Sequence, residues 1–477
     1  MNASTRRRSF RAVVATIAGA VMLLLGLGAP AFAATIPDGS TGSITVHKYE
    51  QPDTPTGLPN DGSLVDPSLL TALTPIAGVQ FTVQQVNTID LTTNAGWDTY
   101  SDLTLPIAAP YTLGPAVTIT TDAAGEATAA NLPVGVYLVT ETVYPAGVTP
   151  SAPFLISVPL TNPDDPDSWL YDVHAYPKNS VSGVTKTVTD IADVKIGDDI
   201  DWTITADIPD LGNIDGYKIV DQLDTKLTYL SAAVTLTNGT PLVLGTDYTI
   251  GFDAGTNTVT VLFTAAGLDK LEANSTAQVQ VVITTDVNTV GEIANTALLY
   301  PNLASFNVQP GQPGGPVVTP PVLTKWGNVT LHKVGEDTGA ALAGATFVIY
   351  ASQADAEAGT NPIATATTDA AGNITFTGLR YSNWANGVAL NPGDPGYRTY
   401  YIVETVAPTG YELIPDPIAV IVDDFDNVVD LTIEDVPANG GFELPITGGT
   451  GTLLVSGVGI ALLAGAGLMA ARTRKSR

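Results

Sequence analysis

Asn328-Val329-Thr330-Leu331-His332-Lys333 and Ser43-Ile44-Thr45-Val46-His47-Lys48 are two versions of one stretch. Each alternates polar with β-branched or aliphatic residues, the period-2 pattern of a strand with one face in a core. The copies extend outward in the same order. Ala77-Gly78-Val79-Gln80-Phe81-Thr82-Val83 corresponds to Ala343-Gly344-Ala345-Thr346-Phe347-Val348-Ile349. Thr121-Asp122-Ala123-Ala124-Gly125 then matches Thr368-Asp369-Ala370-Ala371-Gly372, and Tyr137-Leu138-Val139-Thr140-Glu141-Thr142 matches Tyr401-Ile402-Val403-Glu404-Thr405. A repeat of landmarks with unequal insertions predicts two copies of one β-sandwich, over 34–178 and 325–440. Residues 179–308 carry other landmarks and are expected to form a third, middle sandwich. The Pro/Gly-rich stretch 309–324 is expected to be a stiff linker. No long helical periodicity lies between the two ends, so the fold class is all-β.

The ends are of a different kind. Arg6, Arg7, Arg8 and Arg11 precede an apolar run and Ala31-Phe32-Ala33, the layout of a signal peptide over 1–33. Leu444-Pro445-Ile446-Thr447-Gly448 is followed by an uncharged run long enough to cross a bilayer as a helix, and then by Arg472, Arg474, Lys475 and Arg477.

Charge narrows the function. Each end carries four of the 19 basic residues and no acidic one, so residues 34–447 keep 11 basic against 47 acidic, a net −36. Nucleic acid is excluded as a partner, since phosphate binding needs clustered Lys and Arg. There is no cysteine, hence no thiol nucleophile, thiolate metal site or disulfide. His47, His174 and His332 are scattered and read as strand residues. Acidic runs such as Asp164-Asp165-Pro166-Asp167 and Asp423-Asp424-Phe425-Asp426 have no regular ligand spacing and read as solvated loops. No cofactor or metal is expected. No Ser/His/Asp order or glycosidase carboxylate pair stands out, so the chain is not expected to be an enzyme with an external substrate.

The tail 441–477 resembles the LPxTG sorting signal of Gram-positive surface proteins, whose Thr a sortase cysteine captures as a thioacyl intermediate. Trp169-Leu170-Tyr171-Asp172-Val173-His174-Ala175-Tyr176-Pro177-Lys178 resembles the pilin motif WxxxVxVYPK. Trp169, Val173, Tyr176, Pro177 and Lys178 match it, and Ala175 stands where the family favours Val. Over nearly its full length the chain resembles the major, shaft-forming pilins of sortase-assembled Gram-positive pili. That resemblance implies three tandem immunoglobulin-like domains of the CnaA/CnaB type. It implies a cell-wall surface location and a covalent polymer joined from Lys178 to Thr447 of the next copy. The implied partners are other copies of the chain, sortases, minor tip and basal pilins, and peptidoglycan. A non-polymerising anchored adhesin is the alternative, and it has no need of Lys178.

The resemblance also implies internal isopeptide bonds, in which a buried lysine attacks a side-chain carbonyl with help from a nearby carboxyl group. In the middle domain the implied set is Lys186, Asn295 and the assisting Asp221. In the last it is Lys333, Asp435 and Glu404, the acid lying in Glu404-Thr405-Val406-Ala407-Pro408-Thr409-Gly410-Tyr411, close to the family's ETxAPxGY. A buried Lys333–Asp435 salt bridge is the alternative there. The first domain keeps Lys48 and Glu141, but its last strand offers Asp172 and His174 and no clear Asn, so no bond is expected.

Overall fold

The computed structural model describes residues 35–52, 54–423 and 431–438. The expected signal peptide, and the sorting signal with Leu444, Pro445, Ile446, Thr447 and Gly448, lie outside the described residues. Up to Ser182, with Pro209–Gly212 and Ala304–Pro316, the chain forms one compact unit. Gly183–Ile208, Asn213–Leu303 and the chain from Val317 form the other.

In the first unit, Thr41–His47 lies between Glu126–Pro133, antiparallel, and Asp172–Ala175, parallel. The facing sheet runs Val117–Thr120, Gln80–Gln85, Gly135–Val143, Phe154–Val158. Ile44, Val46, Phe81, Val83, Val139 and Val173 meet between the sheets. These are alternate residues of their strands, so the period-2 pattern is what builds the core.

The last domain repeats the arrangement. Val322–Gly335 lies between Asn373–Arg380, antiparallel, and Leu431–Asp435, parallel. The opposite sheet runs Ala364–Thr367, Thr346–Tyr350, Tyr400–Val406, Ile418–Val420. Val329, Leu331, Phe347, Ile402 and Ile433 form its core. The repeated Thr-Asp-Ala-Ala-Gly is a turn in both copies: Asp122 and Asp369 accept from the N–H groups of Ala124 and Glu126, and of Ala371 and Asn373. Gly125 and Gly372 close the turns at φ +76°. A Cβ on either would run into the carbonyl oxygen of Lys48 or Lys333, so the repeat keeps glycine against the backbone of its lysine.

The middle domain packs the sheet Val184–Thr189, Asp199–Asp207, Gln278–Val287, Leu227–Leu236 against a second sheet. That second sheet runs Tyr248–Asp253, Thr258–Phe263, Lys218–Gln222, Ala297–Tyr300, Val317–Val318. Trp202 is wholly buried at the centre and donates to Thr285 Oγ1 at 3.0 Å.

Two expected boundaries move. The stretch 309–324 is not all linker: Val317–Val318 pairs with Leu298–Leu299, and Val322–Trp326 pairs with Gly291–Asn295. Valines after the prolines resume ladder donation, which a free linker would leave to water. The first domain also ends later than Lys178, because Lys178–Val181 forms a strand between Tyr49–Glu50 and Val148–Thr149.

Candidate crosslinking sites

Each of the three domains holds one lysine with its ammonium end in the core. In the middle domain, Lys186 points inward from Val184–Thr189 toward the Trp202 ring, 5.3 Å from its centroid. Its Nζ contacts Asp221 Oδ2, and both side chains are almost wholly buried. Asp221 lies opposite Ala297, which places it beside Asn295. Asn295 is 1% exposed, and its amide reaches Asp221 closely enough to lower that carboxyl while neither Oδ1 nor Nδ2 is in good hydrogen-bond geometry. A buried amide without good partners costs stability, and this one lies beside the carboxyl that holds the Lys186 amine. Burial lowers the Lys186 pKa, against the pull of Asp221, and burial raises the Asp221 carboxyl.

In the last domain, Lys333 Nζ contacts Asp435 Oδ1 and stands 3.6 Å from Glu404 Oε1, with all three side chains buried. Phe347 lies beneath the amine, 5.8 Å to its centroid. Ile414 N–H donates to Glu404 Oε2, while Glu404 Oε1 and Asp435 Oδ2 have no hydrogen-bond partner. Burial raises the Glu404 carboxyl above the usual range.

The first domain departs from expectation. Its lysine does have an amide: Lys48 Nζ is 2.5 Å from Asn179 Oδ1 and also contacts Glu141 Oε1. Asn179 Nδ2 donates to Glu141 Oε2 at 2.8 Å. Ser151 completes the clasp through its N–H at 3.3 Å and its hydroxyl at 2.8 Å. Lys48 lies over Phe81, and burial lowers its pKa to about 8. Asn179 escapes a reading that stops the last strand at the pilin-motif lysine. The repeat register finds it. Lys333 faces Ile433, with Asp435 two residues on. Carrying Val46↔Ala175 forward sets Lys48 opposite Pro177, with Asn179 two residues on.

The pilin-motif residues cluster in the same domain. Trp169 stacks on Trp97, centroids 5.5 Å apart, and Val173 is buried in the core. Tyr176 stacks on the His47 ring at 4.5 Å, and its hydroxyl accepts from Val65 N–H. Pro177 interrupts the ladder as a residue without an N–H must, and Lys178 opens the next strand. Its amine is half-buried, donates to Tyr176 O at 3.4 Å, and is lowered in pKa by burial. Lys178 lines a groove of about 380 Å³ with Leu58, Tyr100, Phe154, Leu160 and Tyr176.

Residues 39–180 match the Gram-positive pilin subunit D1, N-terminal domain family. Residues 181–299 match the Sgo0707 N2 domain, and 327–437 a prealbumin-like fold domain. The fimbrial subunit type 1 of Actinomyces viscosus is 35% identical across 93% of this chain and 92% of its own length. The chain belongs to the major, shaft-forming pilins of Gram-positive bacteria. The pilin is also 35% identical to the type 2 fimbrial subunit of Actinomyces naeslundii, over 87% of this chain and 86% of that one. It superposes on the full-length major pilin SpaD of Corynebacterium diphtheriae with a TM-score of 0.67 at 27% identity, covering 85% of this chain and 99% of that one. FimP of Actinomyces oris gives a TM-score of 0.54 at 31% identity, with 85% and 99% covered. The pilin thus has the all-β, multidomain, immunoglobulin-like architecture of this family.

Proposed function

We propose that this pilin is polymerised covalently by sortase and that each domain locks itself with an internal isopeptide bond. The observation that carries the second part is the recurrence of one geometry. A buried lysine near the start of each domain meets a carboxyl group and an acceptor near that domain's end. Burial works against the charged form of Lys48 and Lys186 despite their carboxyl partners, and the neutral amine is the form that attacks.

In the middle domain Lys186 Nζ attacks Asn295 Cγ. The bond from Cγ to Nδ2 breaks, Asp221 relays the amine proton to the leaving nitrogen, and one ammonia departs. Lys48, Asn179 and Glu141 perform the same reaction in the first domain. In the last, Lys333 Nζ attacks Asp435 Cγ, a bond from Cγ to Oδ breaks, Glu404 relays the amine proton to the leaving oxygen, and one water departs. Contact within the folded domain supplies the rate enhancement, and each reaction runs once.

Between subunits, the Lys178 amine attacks the thioacyl carbonyl at Thr447 of a neighbour held by sortase. The C–S bond breaks, the amide forms, and the sortase thiol leaves with the amine's proton. The finished polymer stands on the cell wall, with minor pilins and peptidoglycan as its other attachments. Lys178→Ala is expected to abolish the high-mass ladder in denaturing gels of cell-wall extracts while the monomer stays anchored through Thr447. A ladder that persists in this variant refutes the role of Lys178, and the lack of any ladder in the unmodified chain returns it to a non-polymerising adhesin.

A further inference from the structure

The strand that carries Asn295, Gly291–Asn295, belongs to neither sheet of the middle sandwich. It is laddered against Val322–Trp326, the opening of the last domain's first strand, with Ile293 opposite Thr324 and Asn295 opposite Val322. The strand that carries Lys186 ends at Thr189, and the next residue is tied to the same place. Asp190, wholly buried, accepts from Thr324 Oγ1 at 2.5 Å. Its other oxygen accepts from Asn386 N–H at 2.6 Å, and Asn386 Oδ1 accepts in return from the N–H groups of Asp190 and Ile191. Trp326 Nε1 donates to Thr324 Oγ1 at 3.0 Å, which fixes the hydroxyl. One buried threonine of the last domain's strand therefore stands opposite the acceptor's strand and bonds the end of the amine's strand.

We propose that the Asp190–Thr324 pair is a positioning contact for the Lys186–Asn295 crosslink, so that the middle domain reacts only once the last domain's first strand is laid in place. The proposal rests on the isopeptide reading of Lys186 and Asn295. Neither Asp190 nor Thr324 touches the reacting atoms. They hold the two strands in the register that brings amine to amide, and attack of this kind is lost steeply with misplacement.

The test follows both internal bonds in the full-length chain made by cell-free translation, quenched at intervals and read by mass of the linked peptides. Thr324→Val removes the hydroxyl at nearly constant volume. It is expected to slow the Lys186–Asn295 linkage by about 10- to 100-fold, leaving Lys333–Asp435 at its normal rate. Thr324→Ser is expected to restore the middle linkage, and Asp190→Ala to slow it as Thr324→Val does. Equal rates of the middle linkage in the Thr324→Val and unmodified chains overturn the proposal. So does an equal slowing of both linkages, which marks Thr324 as a folding residue only. An unmodified chain that never loses ammonia between Lys186 and Asn295 removes the crosslink itself, and the positioning role with it.

Discussion

Glu404 and Glu141 occupy the same place in two copies of one sandwich, yet their oxygens are treated differently. Glu404 receives one backbone N–H and keeps Oε1 free of hydrogen bonds. Glu141 receives Lys48, Asn179, and both the N–H and hydroxyl of Ser151. A free oxygen on a carboxyl raised by burial suits a proton relay. Glu404→Ala is therefore expected to leave the last domain folded while restoring the one water that closure removes, read by intact mass. Without the bond, a loop of about 100 residues regains its freedom in the unfolded state, worth about 4.7 kcal/mol on the chain-entropy account used for disulfides. The last domain's melting temperature should then fall by roughly 20 °C, and an unchanged melt would mean that no bond had formed. The sets Lys186–Asn295–Asp221 and Lys333–Asp435–Glu404 came from the resemblance, through stretches such as 404–411 that match a family motif, while alternation alone marked only the strands that carry them. Asn179 was not, since it follows a lysine that already had a role.

At the level of strands, the parallel pairing of Thr41–His47 with Asp172–Ala175 carries a histidine from each side. His47 Nε2 and His174 Nδ1 are 2.9 Å apart, and His47 Nδ1 is 3.2 Å from Glu126 Oε1. Between two ring nitrogens only one proton fits, so the pair cannot take a full second charge without breaking. Burial lowers both pKa values. Glu126 opposes this at both rings and Asp172 at His174, while each ring is also packed against the other. The unfolded chain binds protons near pH 6.5 that the folded pair refuses, so stability is intact above about pH 6.5 and is lost as pH falls below it. The thermal transition of the first domain should move down between pH 7.5 and pH 5.5. His174→Asn should flatten that dependence, and a transition insensitive to pH in the unmodified chain would contradict the burial argument. The strands themselves were readable from alternation and the repeat. Their pairing across domains was not, because the partner of Gly291–Asn295 lies beyond a proline-rich stretch that reads as a spacer. A local pattern does not report a long-range ladder.

For the whole molecule, the three proposed reactions sum to a covalent mass. The folded chain, made without sortase, is expected to weigh two ammonias and one water less than its sequence. Asp221→Ala should restore one ammonia and leave the other losses in place. A mass equal to the sequence mass would reduce all three lysines to buried ion pairs. The proposed bonds would also decide where a pull on the fibre goes. Tension that enters at Lys178 and leaves toward Thr447 passes through none of the covalent chain up to Pro177. It passes Lys186, crosses to Asn295, runs to Lys333 and crosses again to Asp435, so the loops 187–294 and 334–434 bear none of it. The longest stretch left under load is 295–333. Its end, from Val322 to Lys333, is strand that rises about 3.3 Å per residue, close to the reach of a fully drawn chain, and it has almost no slack. The slack is all in residues 296–321, because Asn295 and Val322 stand opposite one another in a ladder although that length of chain lies between them. Such a subunit stays stiff while Gly291–Asn295 holds to Val322–Trp326, and releases that stored length once the ladder parts.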